Sequence, residues 1–176
     1  MIGQDEYRLA VEHWVDLIAK TTTWPDAHGA EREPFREAPY RDGLEDPTGM
    51  PASASTRQFH VLVTGVGPYQ GVTTVAGATR HRSLFFNVVV AYHMGGGSPY
   101  DERDIRILAA QDCEALKQRL THPNNFRLST ANTGIISVSE VGTASIENRD
   151  EDRILLTMPF HAWIQIMVEA AEGAAA

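Results

Sequence analysis

The strongest periodic signal in the chain is a run of apolar residues at every second position, Ile154, Leu156, Met158, Phe160, Ala162, Ile164, Ile166 and Val168. Successive side chains of a strand point to opposite faces, so this spacing predicts one unusually long strand with an apolar face turned to the core. Its other face is not purely polar. Leu155, Trp163 and Met167 fall there, and they need a cover, either a helix of the same chain or a neighbouring subunit. Pro159 stands in the middle of the run and has no amide hydrogen to donate, which predicts a sheet edge or a bulge at that point.

Two further alternations precede it. Phe59, Val61 and Val63 alternate with Gln58, His60 and Thr64, predicting a strand that ends at Gly65 and gives way to a turn-rich stretch over 65–71. A second strand follows over 84–94. Its run Phe85-Phe86-Asn87-Val88-Val89-Val90-Ala91-Tyr92 is apolar on both faces, as in a strand covered on both sides. Residues 134–146 are strand-prone with a bend at Gly142, and Asn148-Arg149-Asp150-Glu151-Asp152 reads as a charged turn.

Helical spacing occurs twice. Tyr7, Val11, Trp14, Val15 and Ile18 form one apolar stripe, with Asp5 and Glu6 where a helix dipole favours negative charge. The run Thr21-Thr22-Thr23 and then Trp24-Pro25 ends it. In the second helix Ser98 is placed to cap, Pro99 to occupy the first helical position, and Asp101 and Glu102 to fill the first turn. Ile105, Leu108, Ala109, Leu116 and Leu120 carry its stripe, with Asp112 and Cys113 midway, until His122-Pro123-Asn124-Asn125 stops it.

Between the first helix and the first strand, 24–56 holds Pro25, Pro34, Pro39, Pro47 and Pro51 and no sustained period, so it reads as a long loop or arm. The alanine-rich tail 170–176 reads as flexible. These elements predict an α+β fold in a single domain over 1–176: a mainly antiparallel sheet of about four to five strands packed with two helices.

Composition narrows the function more than the fold. The 176 residues are 43% hydrophobic and 22% charged, the balance of a folded globular protein. A net charge of −8 argues against a surface that grips nucleic-acid phosphates, while leaving open a passage through which DNA slides without sticking. One cysteine, Cys113, permits no internal disulfide and fits a reducing compartment. No signal-peptide pattern and no apolar run of membrane-spanning length is visible, so no membrane association is expected.

No catalytic, cofactor-binding or metal-binding set is expected. The seven histidines lack metal-ligand spacing, although His60, His93 and His161 would meet if their strands shared one face at one height. Gly65-Val66-Gly67-Pro68-Tyr69-Gln70 follows a strand like a dinucleotide-binding loop, but has Gln70 at its sixth position and no helix behind it. Cys113 lies on a helical stripe, where it reads as a small buried hydrophobe. The enzymatic alternative is a small cytoplasmic α+β enzyme, in which Gly95-Gly96-Gly97 hinges a site lined by His93, Tyr100 and Asp101. Assembly contacts are expected instead at Trp24, Phe35, Tyr40, Leu155, Trp163 and Met167.

Taken in order, the chain has a helix, a long loop, two strands, a capped helix, and a strand pair with a long last member. This order resembles the tail terminator, or tail completion, proteins of long-tailed bacteriophages. The residues that carry the resemblance are the strand 83–92, the helix from Asp101-Glu102-Arg103-Asp104 into Ala115-Leu116-Lys117-Gln118-Arg119-Leu120, and 153–167. It spans most of the chain apart from 24–56 and the tail. The resemblance implies a virion protein, assembled in the host cytoplasm, that forms a homo-hexameric ring at the head-proximal end of the tail. Such a ring binds the tail tube protein, stops its polymerisation, presents a surface to a neck or head-completion protein, and lets DNA pass through its lumen without specific binding. A neck or head-completion ring protein is the neighbouring alternative.

Overall fold

The computed structural model describes residues 3–23, 32, 34–38, 57–74, 77–93, 100–126, 133–150 and 153–168. Helix α1 is Gly3–Ala19, followed by the two-residue strand β1 (Arg36–Glu37), β2 (Arg57–Thr74), β3 (Gly77–His93), helix α2 (Glu102–Thr121) with a 3-10 turn at Pro123–Asn125, β4 (Thr133–Glu140), β5 (Ser145–Asp150) and β6 (Arg153–Val168). The expected α+β class holds. The sheet is mixed, in the order β1-β2-β3-β6-β4, with β5 also paired to β6; β1 runs parallel to β2 and every other pair is antiparallel.

Two strands beyond the first expectation have plain physical origins. β1 lies inside the segment read as a loop, and at two residues it is too short to show a period. The 134–146 stretch divides at Gly142, whose φ of 97° turns the chain out of the sheet, and β5 then takes residues through Asp150 that were read as a turn. Likewise β2 does not end at Gly65. Bulges between Val63 and Gly65 and between Val66 and Tyr69 absorb the irregular residues, and the strand continues to Thr74 in a hairpin with β3.

β6 is central rather than at an edge, and this corrects the expectation for Pro159. On one side it pairs with β3 along its whole length. On the other, β4 covers it from Ile166 to Phe160 and β5 from Thr157 to Arg153. Pro159 falls in the gap between those two partners, where its carbonyl accepts from Val141 N at 3.0 Å. A residue's N and C=O point to the same side of an antiparallel strand, so the missing donor faces the gap and no ladder bond is lost.

Both helices lie on one face of the sheet and close the core. Ile154, Leu156, Met158, Phe160, Ala162 and Ile164 are all buried on that side of β6, as are Leu84, Phe86, Val88 and Val90 of β3. Trp14 of α1 stacks on Phe86 with 3.9 Å between ring centroids, and Phe86 stacks on Phe160 at 5.4 Å. From α2, Ile105, Leu108, Ala109, Cys113, Leu116 and Leu120 complete the layer. The cap of α2 is Asp101, not Ser98, which lies outside the described residues with Pro99. Asp101 accepts from Asp104 N at 2.8 Å while the Asp104 carboxylate accepts from Asp101 N at 3.4 Å, a reciprocal capping box.

Candidate assembly surface

Asp112, on the buried stripe of α2, is the most heavily engaged ionisable group in the core. Its Oδ1 and Oδ2 accept from Nη1 and Nη2 of Arg32 at 2.6 and 2.7 Å, Oδ1 accepts from Arg57 Nη1 at 3.1 Å, and Oδ2 accepts from the Tyr92 hydroxyl at 2.8 Å. Arg57 also donates to Thr23 Oγ1 at 2.9 Å and sits 4.1 Å over the Phe35 ring. Burial lowers the Arg57 pKa against the pull of Asp112, and burial with the adjacent carboxylate raises that of Tyr92. Two arginines from the chain on either side of β1 thus lock onto one helix carboxylate. The cluster is a structural clasp, with each Asp112 oxygen accepting two hydrogen bonds.

The groups expected to line an enzymatic site are spread differently. The Asp101 carboxylate is committed to the cap of α2, Tyr100 packs against the core, and residues 95–97 lie outside the described residues. His60, His161 and His93 share the face away from the helices, but the ladder sets them at the level of Val89, Phe85 and position 93 of β3, each four residues from the next. At about 3.3 Å per residue they are roughly 13 Å apart in sequence along the sheet. Among the described residues no group of three or more potential metal ligands occurs. The glycine-rich stretch has a packing role: a Cβ on Gly67 would stand 2.7 Å from Ser83 Cβ, so β2 and β3 can approach there only with glycine. Cys113 is buried, and burial pushes its thiol pKa up, away from reactivity.

What the outer face of the sheet offers is aromatic surface. His161 is hydrogen-bonded to Ser83 Oγ, with the Phe85 ring 4.8 Å from it on one side and the Trp163 ring 5.4 Å away, edge-on, on the other. Phe85 is exposed and Trp163 and Leu155 are half-buried, so this face remains partly open to solvent. Both Leu155 and Trp163 are therefore where the alternation predicts, opposite the core.

The remaining expected contacts divide. Phe35 is only 2% exposed; β1 places its ring edge-on to Phe59 at 6.4 Å and under Arg57, so it is an anchor within its own chain with almost no ring surface left for another. Met167 pairs with Thr79 in the ladder, its side chain lying outside the described residues, as do Trp24 and Tyr40 altogether. Sequence reasoning passed over Phe85, taken as part of a strand covered on both sides. Asp112 did carry a signal, a charge in the middle of an apolar helical stripe, but its partners lie 20 to 80 positions away.

No family model matches the chain, and no curated protein matches it. Among solved structures, a chain described as "Virion of native gene transfer agent (GTA) particle" is similar over 90% of this chain and 90% of that one, at 10% identity and a TM-score of 0.36. So low a TM-score bears on neither fold family nor function. No helix among the described residues is long and apolar enough to cross a membrane.

Proposed function

We propose that this chain is a structural protein of a phage-like virion, and that it acts as the ring that terminates the tail tube at its head-proximal end. The observation that carries the reading is the outer sheet face, where Phe85, His161 and Trp163 make an aromatic patch that the chain's own helices, packed on the opposite side, leave partly open. Partly exposed aromatic surface of this kind is suited to burial against another subunit. The order of elements, which resembles that of tail terminators, supports this reading of the assembly.

In this reading six copies close into a ring. Seated on the last layer of the tube, the ring occupies the surface on which the next tube subunit would add, and elongation stops for steric reasons. Its other side receives the neck or head-completion protein. The net charge of −8 suits a conduit, because like charge keeps DNA from adhering to the wall.

Native mass measurement and negative-stain imaging across a range of concentrations, with and without purified tail tubes, test the proposal. Hexameric rings that cap tubes and block their further growth are expected. Rings that bind a portal assembly and ignore tubes would assign the chain to the neck instead, and a strict monomer under every condition would sink both readings.

A further inference from the structure

The two edges of the sheet differ in how well they are covered, and the difference depends on height. At the lower end, the ladder aligns His60, Val89, Thr157 and Ser145 in one row and Arg57, Tyr92, Ile154 and Asn148 in another. There β1 caps the β2 edge at Gln58 and Phe59, and Ala38 N adds a bond to Phe59 O at 2.8 Å. At the upper end the rows are Val63, Phe86, Phe160, Glu140 and, further up, Tyr69, Arg82, Ile164, Ile135. Among the described residues nothing pairs with the outer side of β2 between those rows, and nothing pairs with the outer side of β4.

Within the described residues these two edges share a character. From Val61 to Tyr69 and from Thr133 to Ser139 neither carries a charged residue, although charge on a free edge is the usual protection against association. Of the large apolar side chains exposed at the surface, Leu62 (36%), Val63 (40%) and Val66 (46%) lie on the β2 edge, and Ile136 (43%) and Val141 (43%) on β4 or one residue beyond it. Among the described residues each edge is without a mate, and each is of a kind to supply the other's.

We infer that the upper edge of β2 in one copy pairs with β4 of the next, joining the sheets head to tail; the inference rests on the ring reading for its closure. Strand direction favours it. β2, β3, β6 and β4 alternate, an even number, so copies that keep the same sense meet with β4 antiparallel to β2 and the alternation continues across the joint. Height favours it too. The two stretches overlap in the rows from Gly65 and Ser139 to Tyr69 and Ile135, so successive copies can meet without an axial offset, and a heterologous contact without offset can close into a ring rather than wind into a filament. Pro68 and the two bulges of β2 confine the regular part of the joint to Gly65 and Val66, which limits pairing with unrelated strands.

The test is cross-linking in the full-length chain with Cys113→Ser to remove the native thiol. Thr64 and Ser139, both exposed, sit beside or in the row Gly65, Phe85, His161, Ser139. The double variant Thr64→Cys/Ser139→Cys, mildly oxidised after assembly, should give a covalent ladder ending at the full ring, while each single variant stays at monomer mass. A second pair, Val63→Lys/Val66→Lys, should shift assembly to at least tenfold higher protein concentration with the melting temperature unchanged. Rings without a ladder, or lysine variants that assemble normally, overturn the joint and leave the ring reading standing. Dimers from Thr64→Cys alone overturn it in favour of a twofold β2 contact. Filaments bearing the ladder uphold the joint and overturn closure, and a strict monomer overturns both.

Discussion

Phe85 and Phe86 are neighbours in sequence and in β3, and they belong to different environments. Phe86 is fully buried between Trp14 and Phe160, whereas Phe85 is 38% exposed beside His161. Strand geometry alone separates them, since adjacent residues face opposite sides. The helix-side face is closed by α1, α2 and the Asp112 clasp. The outer face has a well-buried lower end at Gln58, His60 and Ala91 and an open aromatic upper end. Stability is concentrated on the first face, and the capacity to associate on the upper part of the second.

The largest test of that division is truncation on each side. Phe86→Ala removes the centre of a three-ring stack and should cost about 3–5 kcal/mol. Phe85→Ala should cost within about 1 kcal/mol, since a side chain left partly exposed loses little transfer energy on removal. Chemical denaturation of the two variants measures the difference; equal losses would mean that the outer face is as fully packed as the inner one. Assembly should respond in the opposite order, with Phe85→Ala the more defective among molecules that fold.

Asp112→Ala is expected to destabilise by about 3–5 kcal/mol, because it strands two guanidiniums in the core with no counter-charge. Replacing all three ions, Arg32→Met/Arg57→Met/Asp112→Leu, should cost markedly less than Asp112→Ala alone. A triple variant as unstable as the single one would show that the clasp contributes net attraction beyond its own desolvation.

These particulars also explain what the amino-acid pattern revealed and what it hid. The core face of β6 was legible because its period of two is unbroken through Ile164, and both helices because their stripes are long. β2 and β3 were read short, since Gly65, Gly67 and Pro68 carry the signature of a turn when in fact two bulges accommodate them inside a strand. The cap of α2 was read at Ser98 when the Asp101-x-x-Asp104 spacing was already a capping signal. The clasp was invisible because it joins residues 32, 57, 92 and 112, and no local pattern links such positions. On the outer face, Trp163 and Leu155 followed from alternation, but which edges stay open depends on the pairing of β1 and β5, which only the fold shows.

A smaller effect is expected where β4 leaves the sheet. Gly142 has φ 97°, and a Cβ there would meet Pro159 Cγ at an ordinary 3.8 Å, so space is not the constraint and backbone strain is. Gly142→Ala should cost about 1–2 kcal/mol, read as a lower melting midpoint, from the left-handed conformation alone. If the loss is nil, the 141–144 connection can relax, and the switch of β6 from one partner to the other is not held by this residue.

The smallest effect probes the lower outer face through pH. Burial holds the His60 imidazole below its ordinary value of 6.5, so the folded chain accepts this proton later than the unfolded chain as pH falls. The unfolded state then binds more protons, and stability is full above pH 6.5 and declines as pH drops from there through the depressed folded value. His60→Gln removes this contribution and no other histidine's, so the wild-type curve from pH 7.5 to 5 should fall more steeply than the variant's. Parallel curves would place His60 in surroundings as wet as those of the unfolded chain. The lower end of the outer face would then be as open as the upper, and the contrast between the two ends would be lost.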